Sequence, residues 1–193
     1  MQFYFRKEAI SLLYIMRHGR TDWNAEYRLQ GGTDIPLNDE GRQMAREAAI
    51  KYKEIPLDIC FVSPLQRARE TADIFLEGRD IPVIVDDRLR EMGFGISEGV
   101  DHIFQKPAYP AYSMFKDPAH YVPTDGAESF EELFQRTGEF LREVAEPLVK
   151  EGKNVLIVGH GAMNTSIINR YRNIPLKSFW ETLCKNCELV RVL

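Results

Sequence analysis

Leu12-Leu13-Tyr14-Ile15-Met16-Arg17-His18-Gly19-Arg20-Thr21 joins an unbroken apolar run to a histidine set between two arginines. An apolar run without alternation reads as a strand buried on both faces, as in a parallel sheet covered by helices. Open sheets of that kind bind ligands just beyond the carboxyl ends of their strands. A histidine at such a point is equipped to attack an anion. The guanidinium groups clamp phosphate oxygens while the imidazole supplies a nucleophilic nitrogen.

Asn154-Val155-Leu156-Ile157-Val158, ending in Gly159-His160-Gly161, repeats the arrangement. Either histidine alone is compatible with a hydrogen-bonded structural role, but two of them closing two buried strands point to one shared site. Asp58 to Val62, Val83 to Val85 and Leu189 to Leu193 are further strand candidates beside Leu12 to Met16 and Val155 to Val158. Helix-like segments alternate with them, which predicts a wound α/β sheet with both faces covered. Asn38 can cap a helix through Met44, Ala45, Ala48, Ala49 and Tyr52. Ser63 followed by Pro64 predicts another helix start, with Arg67 on the first turns. Ser129-Phe130-Glu131-Glu132 reads as a capping box, and the stripe from Phe130 and Leu133 to Val144 and Leu148 keeps helical spacing, as a core-facing helix does.

The ordered series of short motifs resembles the histidine phosphatase superfamily, the branch that also holds the cofactor-dependent phosphoglycerate mutases. It runs through Arg17-His18-Gly19 with Thr21 and Asn24, Gln30-Gly31 to Asp34, Pro36-Leu37 and Gly41, then Ser63-Pro64-Leu65 with Arg67-Ala68 and Thr71-Ala72. It continues in Leu89, Glu91, Gly95, Glu98-Gly99, Gly126, Glu128 and Ser129, and closes on Gly159-His160-Gly161. The resemblance implies a three-layer α/β/α sandwich with a mostly parallel sheet. It implies that His18 becomes phosphohistidine, that Arg17 and Arg67 hold the phosphoryl oxygens, and that His160 with Gly161 completes the phosphate pocket. Asn24, Gln30 and Gly31 fall near the substrate by the same likeness. Glu91 stands where the family's proton donor sits. Its task, to be protonated for the leaving group and then to activate water, asks for an apolar wall such as Met92 or Phe94 beside it.

The chain has 193 residues, 44% of them hydrophobic, which suits one domain with a full core, residues 1–193. Its formal charge of −4 argues against a nucleic-acid-binding surface, so anion recognition has to come from a local arginine cluster. Met1 to Ser11 carry Arg6, Lys7 and Glu8, and the apolar run behind them is too short for a signal sequence or a membrane span, which predicts a cytoplasmic protein. Three cysteines make no disulfide framework. Cys184-Lys185-Asn186-Cys187 has C-x-x-C spacing, but it lacks a second ligand pair for zinc and reads as structural. No metal and no cofactor are expected.

Residues 100–125 hold Phe104, Tyr109, Tyr112, Met114, Phe115 and Tyr121 between four prolines, which excludes a single helix. This insertion reads as a lid over the leaving group, with packing at one end of the sheet as the other reading. Arg20 stands where relatives often carry Glu or Gln and would add a cation to the mouth of the site, and Ser97 stands where many have an aromatic residue. The chain is shorter than the mutases generally are. Water must reach a phosphohistidine for hydrolysis, whereas a mutase keeps it dry. The main expectation is therefore a metal-independent phosphatase acting on a small phosphomonoester, with a phosphoglycerate mutase and a non-catalytic phospho-ligand-binding domain as alternatives. The expected partners are that ester and inorganic phosphate, with a homodimer left open.

Overall fold

Among the described residues of the computed structural model, 12–124 and 126–193, five strands form one sheet in the order β3-β2-β4-β1-β5. Their bounds are β1 Leu13–Arg17, β2 Ile59–Val62, β3 Val83–Val85, β4 Val155–Gly159 and β5 Leu189–Arg191. The first four in spatial order are mutually parallel, and β5 runs antiparallel to β1. Seven α-helices accompany them: α1 Asp22–Ala25, α2 Asp39–Lys51, α3 Gln66–Phe75, α4 Pro110–Lys116, α5 Phe130–Phe140, α6 Glu146–Lys150 and α7 Gly161–Arg172. Arg6, Lys7 and Glu8, weighed above against a signal sequence, lie outside the described residues. No helix among the described residues is long and apolar enough to cross a membrane.

The unbroken apolar runs are explained by the pleat, which sends alternate side chains to opposite faces. Leu13, Ile15, Phe61, Val155 and Ile157 join the buried side chains of α4, α5 and α7. Tyr14, Met16, Cys60, Val62, Leu156 and Val158 face those of α2 and α3. The result is a three-layer α/β/α fold with a mostly parallel sheet. All five residues of β4 are buried, as befits the central strand. Cover stops at the edge, where Val83, Ile84 and Val85 of β3 are all exposed.

Ser63-Pro64 does not start a helix. The α3 helix begins at Gln66, whose N–H is met by the Asp34 carboxylate from a distant loop at 2.8 Å. The Ser63 hydroxyl is instead taken up by the His160 ring. Ser129 does form its capping box with Glu132. The helix it opens passes through a π-helical turn, Leu141–Ala145, before continuing as α6.

Residues 100–124 fold as a 3₁₀ turn Ile103–Gln105, helix α4 and a second 3₁₀ turn Pro118–His120. Pro110 and Pro118 each sit in the first turn, where the missing N–H costs nothing. Ile103, Ala111 and Met114 are buried in the core, so the segment packs against the sheet-covering layer, while Phe104 and Phe115 turn to the pocket described below.

The loop after β1 lies directly on the start of α2. The Arg20 carbonyl accepts from Asn38 N–H at 3.1 Å, and a Cβ on Gly41 would stand 2.0 Å from that same carbonyl oxygen. A Cβ on Gly19 would stand 2.6 Å from the Gly41 carbonyl. Only backbone surrounds these points, so nothing flexible can yield. Gly41→Ala is expected to cost about 1–3 kcal/mol or more of stability, measured by urea unfolding; wild-type stability in that variant would show that the two segments can separate freely.

Candidate active site

The carboxyl ends of β1, β4 and β2 bring Arg17-His18, Gly159-His160 and Ser63 side by side. Arg17 pairs with Gly159 in the sheet, His18 N–H donates to the Gly159 carbonyl, and Ser63 N–H donates to the Val158 carbonyl. The His18 Nδ1 lies 2.6 Å from its neighbour's carbonyl oxygen, Gly19 O. A carbonyl can only accept, so the proton is on Nδ1 and the lone pair on Nε2 is free. The surrounding backbone is fixed by Gly19 N–H donating to Thr71 Oγ1 and by the Asn186 amide donating to His18 O. Burial first, then the charges of Arg67 and Arg17, hold the His18 imidazole well below the ordinary histidine value. A neutral ring with one aimed lone pair is the form that attacks phosphorus.

Arg67 is completely buried. Its Nη1 donates to Thr33 O at 2.8 Å, its Nη2 to Gly31 O at 2.7 Å, and its Nε to His160 Nδ1 at 3.2 Å. A guanidinium has five N–H groups, so the fork keeps donors in hand for a ligand while its orientation is set by protein. Desolvation brings it down to about 10, which leaves it a cation at neutral pH. Because arginine only donates, His160 Nδ1 is the acceptor, and the proton on Nε2 goes to Ser63 Oγ at 2.7 Å. Both ring nitrogens of His160 are thus engaged by protein. The ring stands 5.2 Å from that of His18 and acts on Arg67 from behind the pocket rather than lining it. Burial and the neighbouring Arg67 keep it neutral as well.

The pocket in front of His18 has a volume of about 220 Å³. Arg17, Asn24, Gln30, Gly31, Arg67, Glu91 and Gly161 all line it. Arg17 gives one N–H to Cys184 O, while its buried Nε has no partner among the described residues. The Asn24 side-chain oxygen accepts from Thr21 N–H in the capping box that opens α1, which leaves the amide nitrogen for the pocket. Arg20 does not line this pocket. It is paired with Glu40 at 2.7 Å and faces the neighbouring groove, so its charge is already met.

The Glu91 carboxylate enters from the far side. Its Oε1 accepts from Met92 N–H at 2.9 Å and Met163 N–H at 3.0 Å, and its Oε2 from Ala162 N–H at 3.2 Å. The opening turn of α7 thereby holds it, as helix N-termini hold anions. A Cβ on Gly161 would stand 3.3 Å from Glu91 Oε2, so a larger residue there would press on the carboxylate. Of the two residues expected as an apolar wall beside Glu91, Phe94 lines the pocket, whereas Met92 turns into the core and offers only its N–H.

Two clamps had no sequence signal of their own, Glu98 having only a place in the motif series and Arg136 not even that. Glu98 accepts from the N–H groups of Gly32, Thr33 and Phe94, pinning the loop whose carbonyls hold Arg67. Arg136 on α5 donates to the carbonyls of Arg88 and Arg90 and pairs with Glu128, which itself accepts from Gly93 N–H. The Glu91 segment is thereby gripped on both sides. Only long-range contacts define such residues, and no local spacing announces them. The C-x-x-C turn wraps Arg17, taking one N–H at Cys184 O and giving Cys187 N–H to Arg17 O. Its thiols are buried, with Cys187 pushed up to about 12.

The family model described as histidine phosphatase superfamily (branch 1) matches residues 13–193. A 2,3-bisphosphoglycerate-dependent phosphoglycerate mutase of Cytophaga hutchinsonii is 35% identical over 153 residues, 78% of this chain and 72% of that protein. YhfR of Bacillus stearothermophilus superimposes with a TM-score of 0.84 at 34% identity, covering 94% of this chain and 90% of the other. The alpha-ribazole phosphatase of Shigella flexneri superimposes with a TM-score of 0.79 at 28% identity, covering 93% and 88%.

With lowered folded values, His18 and His160 stay neutral in the native protein while the unfolded chain takes up protons below about pH 6.5. Stability should therefore fall as the pH drops below that point. In the ligand-free protein, NMR signals of both imidazoles should remain those of the neutral ring when the pH is lowered through about 6.5; a transition centred there in either ring would contradict the geometry.

Proposed function

This chain belongs to branch 1 of the histidine phosphatase superfamily, and from that membership and the arrangement of its pocket we propose that it hydrolyses a small phosphomonoester through a phosphohistidine on His18. The observation that carries this reading is the pairing of a neutral, oriented His18 with a buried guanidinium fork that still has donors to offer. Arg17, Arg67 and the Asn24 amide receive the phosphoryl oxygens. Donors aimed at the equatorial oxygens stabilise charge as the bond to the leaving oxygen loosens.

His18 Nε2 attacks phosphorus, the bond to the ester oxygen breaks, and a protonated Glu91 delivers its proton to that oxygen, so the alcohol departs neutral. The Glu91 carboxylate then takes a proton from a water molecule that attacks the phosphohistidine. Inorganic phosphate leaves, and His18 and the protonated Glu91 are regenerated. Oε2, which accepts a single N–H, is the oxygen suited to this exchange, because Oε1 is occupied by two. His160 contributes by holding Arg67 in plane.

Hydrolysis is favoured over isomerisation by the charge around the pocket. A bisphosphorylated intermediate needs a second cluster of cations, yet the charge of Arg28, the further arginine at the rim, is paired with the Glu26 carboxylate. Arg20 is paired with Glu40.

Release of inorganic phosphate from a panel of monoesters should persist in excess chelator and vanish in His18→Ala. Glu91→Gln should lower kcat by about a hundredfold to ten-thousandfold while phosphate still binds. Wild-type turnover in His18→Ala would refute the nucleophile, and interconversion of phosphoglycerates without net phosphate release would establish the mutase reading in its place.

A further inference from the structure

Beyond the phosphate subsite the same pocket changes character. Phe104, Phe115 and Trp180 form one side, with Leu29 and Leu183 beside them. Phe104 meets Phe115 edge-on with ring centroids 4.8 Å apart, and Phe115 lies 4.6 Å from the Trp180 ring. The polar handle of Trp180 is turned away, its Nε1–H donating to the Met114 carbonyl at 3.0 Å. What these residues offer a ligand is therefore ring face and ring edge. Phe104 is half exposed although a core lies directly beneath it, so its apolar surface is presented to the pocket rather than covered by protein.

Among the described residues, the cations near this side have partners of their own. Lys106 is bound to Asp101, Lys116 lies over the Tyr112 ring, and Arg28 is held as described above. From this wall, and resting on the phosphatase reading of His18, we propose that the substrate is a monoester whose leaving alcohol carries a planar apolar ring, an aryl or arylmethyl phosphate. The ring would stack against Phe104 and Phe115 while the phosphate occupies the Arg17 and Arg67 subsite, and Glu91 would stand at the ester oxygen between them. Size agrees: an apolar cavity of roughly 150 Å³ takes one benzene ring, and the whole pocket here holds about 220 Å³. One ring and one phosphate fill it, and larger groups extend into solvent.

The test compares benzyl phosphate with glycerol 1-phosphate and 3-phosphoglycerate, whose leaving groups are all ordinary alkoxides, so that ratios report recognition rather than leaving-group acidity. Benzyl phosphate is expected to have the highest kcat/KM by about tenfold or more, and Phe104→Ala or Phe115→Ala to pull that ratio towards one, as loss of an aromatic contact does. Phosphonates, which are not hydrolysed, give a second reading: phenylphosphonate should bind the wild-type protein about tenfold more tightly than methylphosphonate. Phosphate release that depends on His18 but favours 3-phosphoglycerate over the benzyl ester would overturn the ring subsite and leave the phosphatase reading intact. Tighter binding of phenylphosphonate without turnover of any ester would do the reverse. Equal binding of the two phosphonates would overturn the ring subsite.

Discussion

A guanidinium taken wholly out of water must be surrounded by acceptors, and meeting that demand at Arg67 organises the rest of the site. Two of its acceptors are carbonyls of the loop at Gly31 and Thr33, which is why that loop is tied down in turn by Glu98. The third is His160, whose orientation is completed by Ser63. On the backbone side, the Arg67 carbonyl accepts from the Thr71 hydroxyl, and the same oxygen of Thr71 accepts the N–H of Gly19 beside the nucleophile. The Arg67 side chain and the His18 ring, to which the proposed reaction assigns binding and attack, are therefore parts of one hydrogen-bonded unit anchored on α3.

Electrostatics follow from this burial. The chain as a whole is acidic, yet Arg17 and Arg67 concentrate positive charge at the ends of β1 and β2, and the low dielectric there magnifies it. Burial first, and then that field, suppress protonation of both histidines and keep the His18 Nε2 lone pair available. The Glu91 side chain faces the field from across Gly161, where the N–H groups of α7 fix its position. Because these groups polarise one another, replacing any one of them alters the others, and effects of substitutions within the cluster will not add.

Proteins similar to this chain include one named as a mutase and one named as a phosphatase. What differs between chains of one such fold is therefore sought in the walls of the pocket. In this chain the wall comes from residues 103–115 together with Trp180 and Leu183. The segment has a double character: one side of it belongs to the core through Ile103 and Met114, and the other presents Phe104 and Phe115 to the ligand space.

Amino-acid order alone determined the strands: a strand buried on both faces, as β1 and β4 are, leaves an unbroken apolar run, the exposed edge β3 is marked by Val83-Ile84-Val85, and each of the five expected segments lies within two residues of its strand's bounds at either end. It also determined which side chains stand at strand ends, since Arg17, His18 and His160 adjoin those runs directly. Tertiary structure decided which of them face the ligand. His160 withdrew behind Arg67, Arg20 was captured by Glu40, and Ser63 gave its hydroxyl to His160 in place of a helix cap. Those outcomes depend on partners 20 to 97 positions away in the chain. A hydrogen bond is assigned by distance in space, and local sequence carries no record of which distant donor or acceptor will arrive.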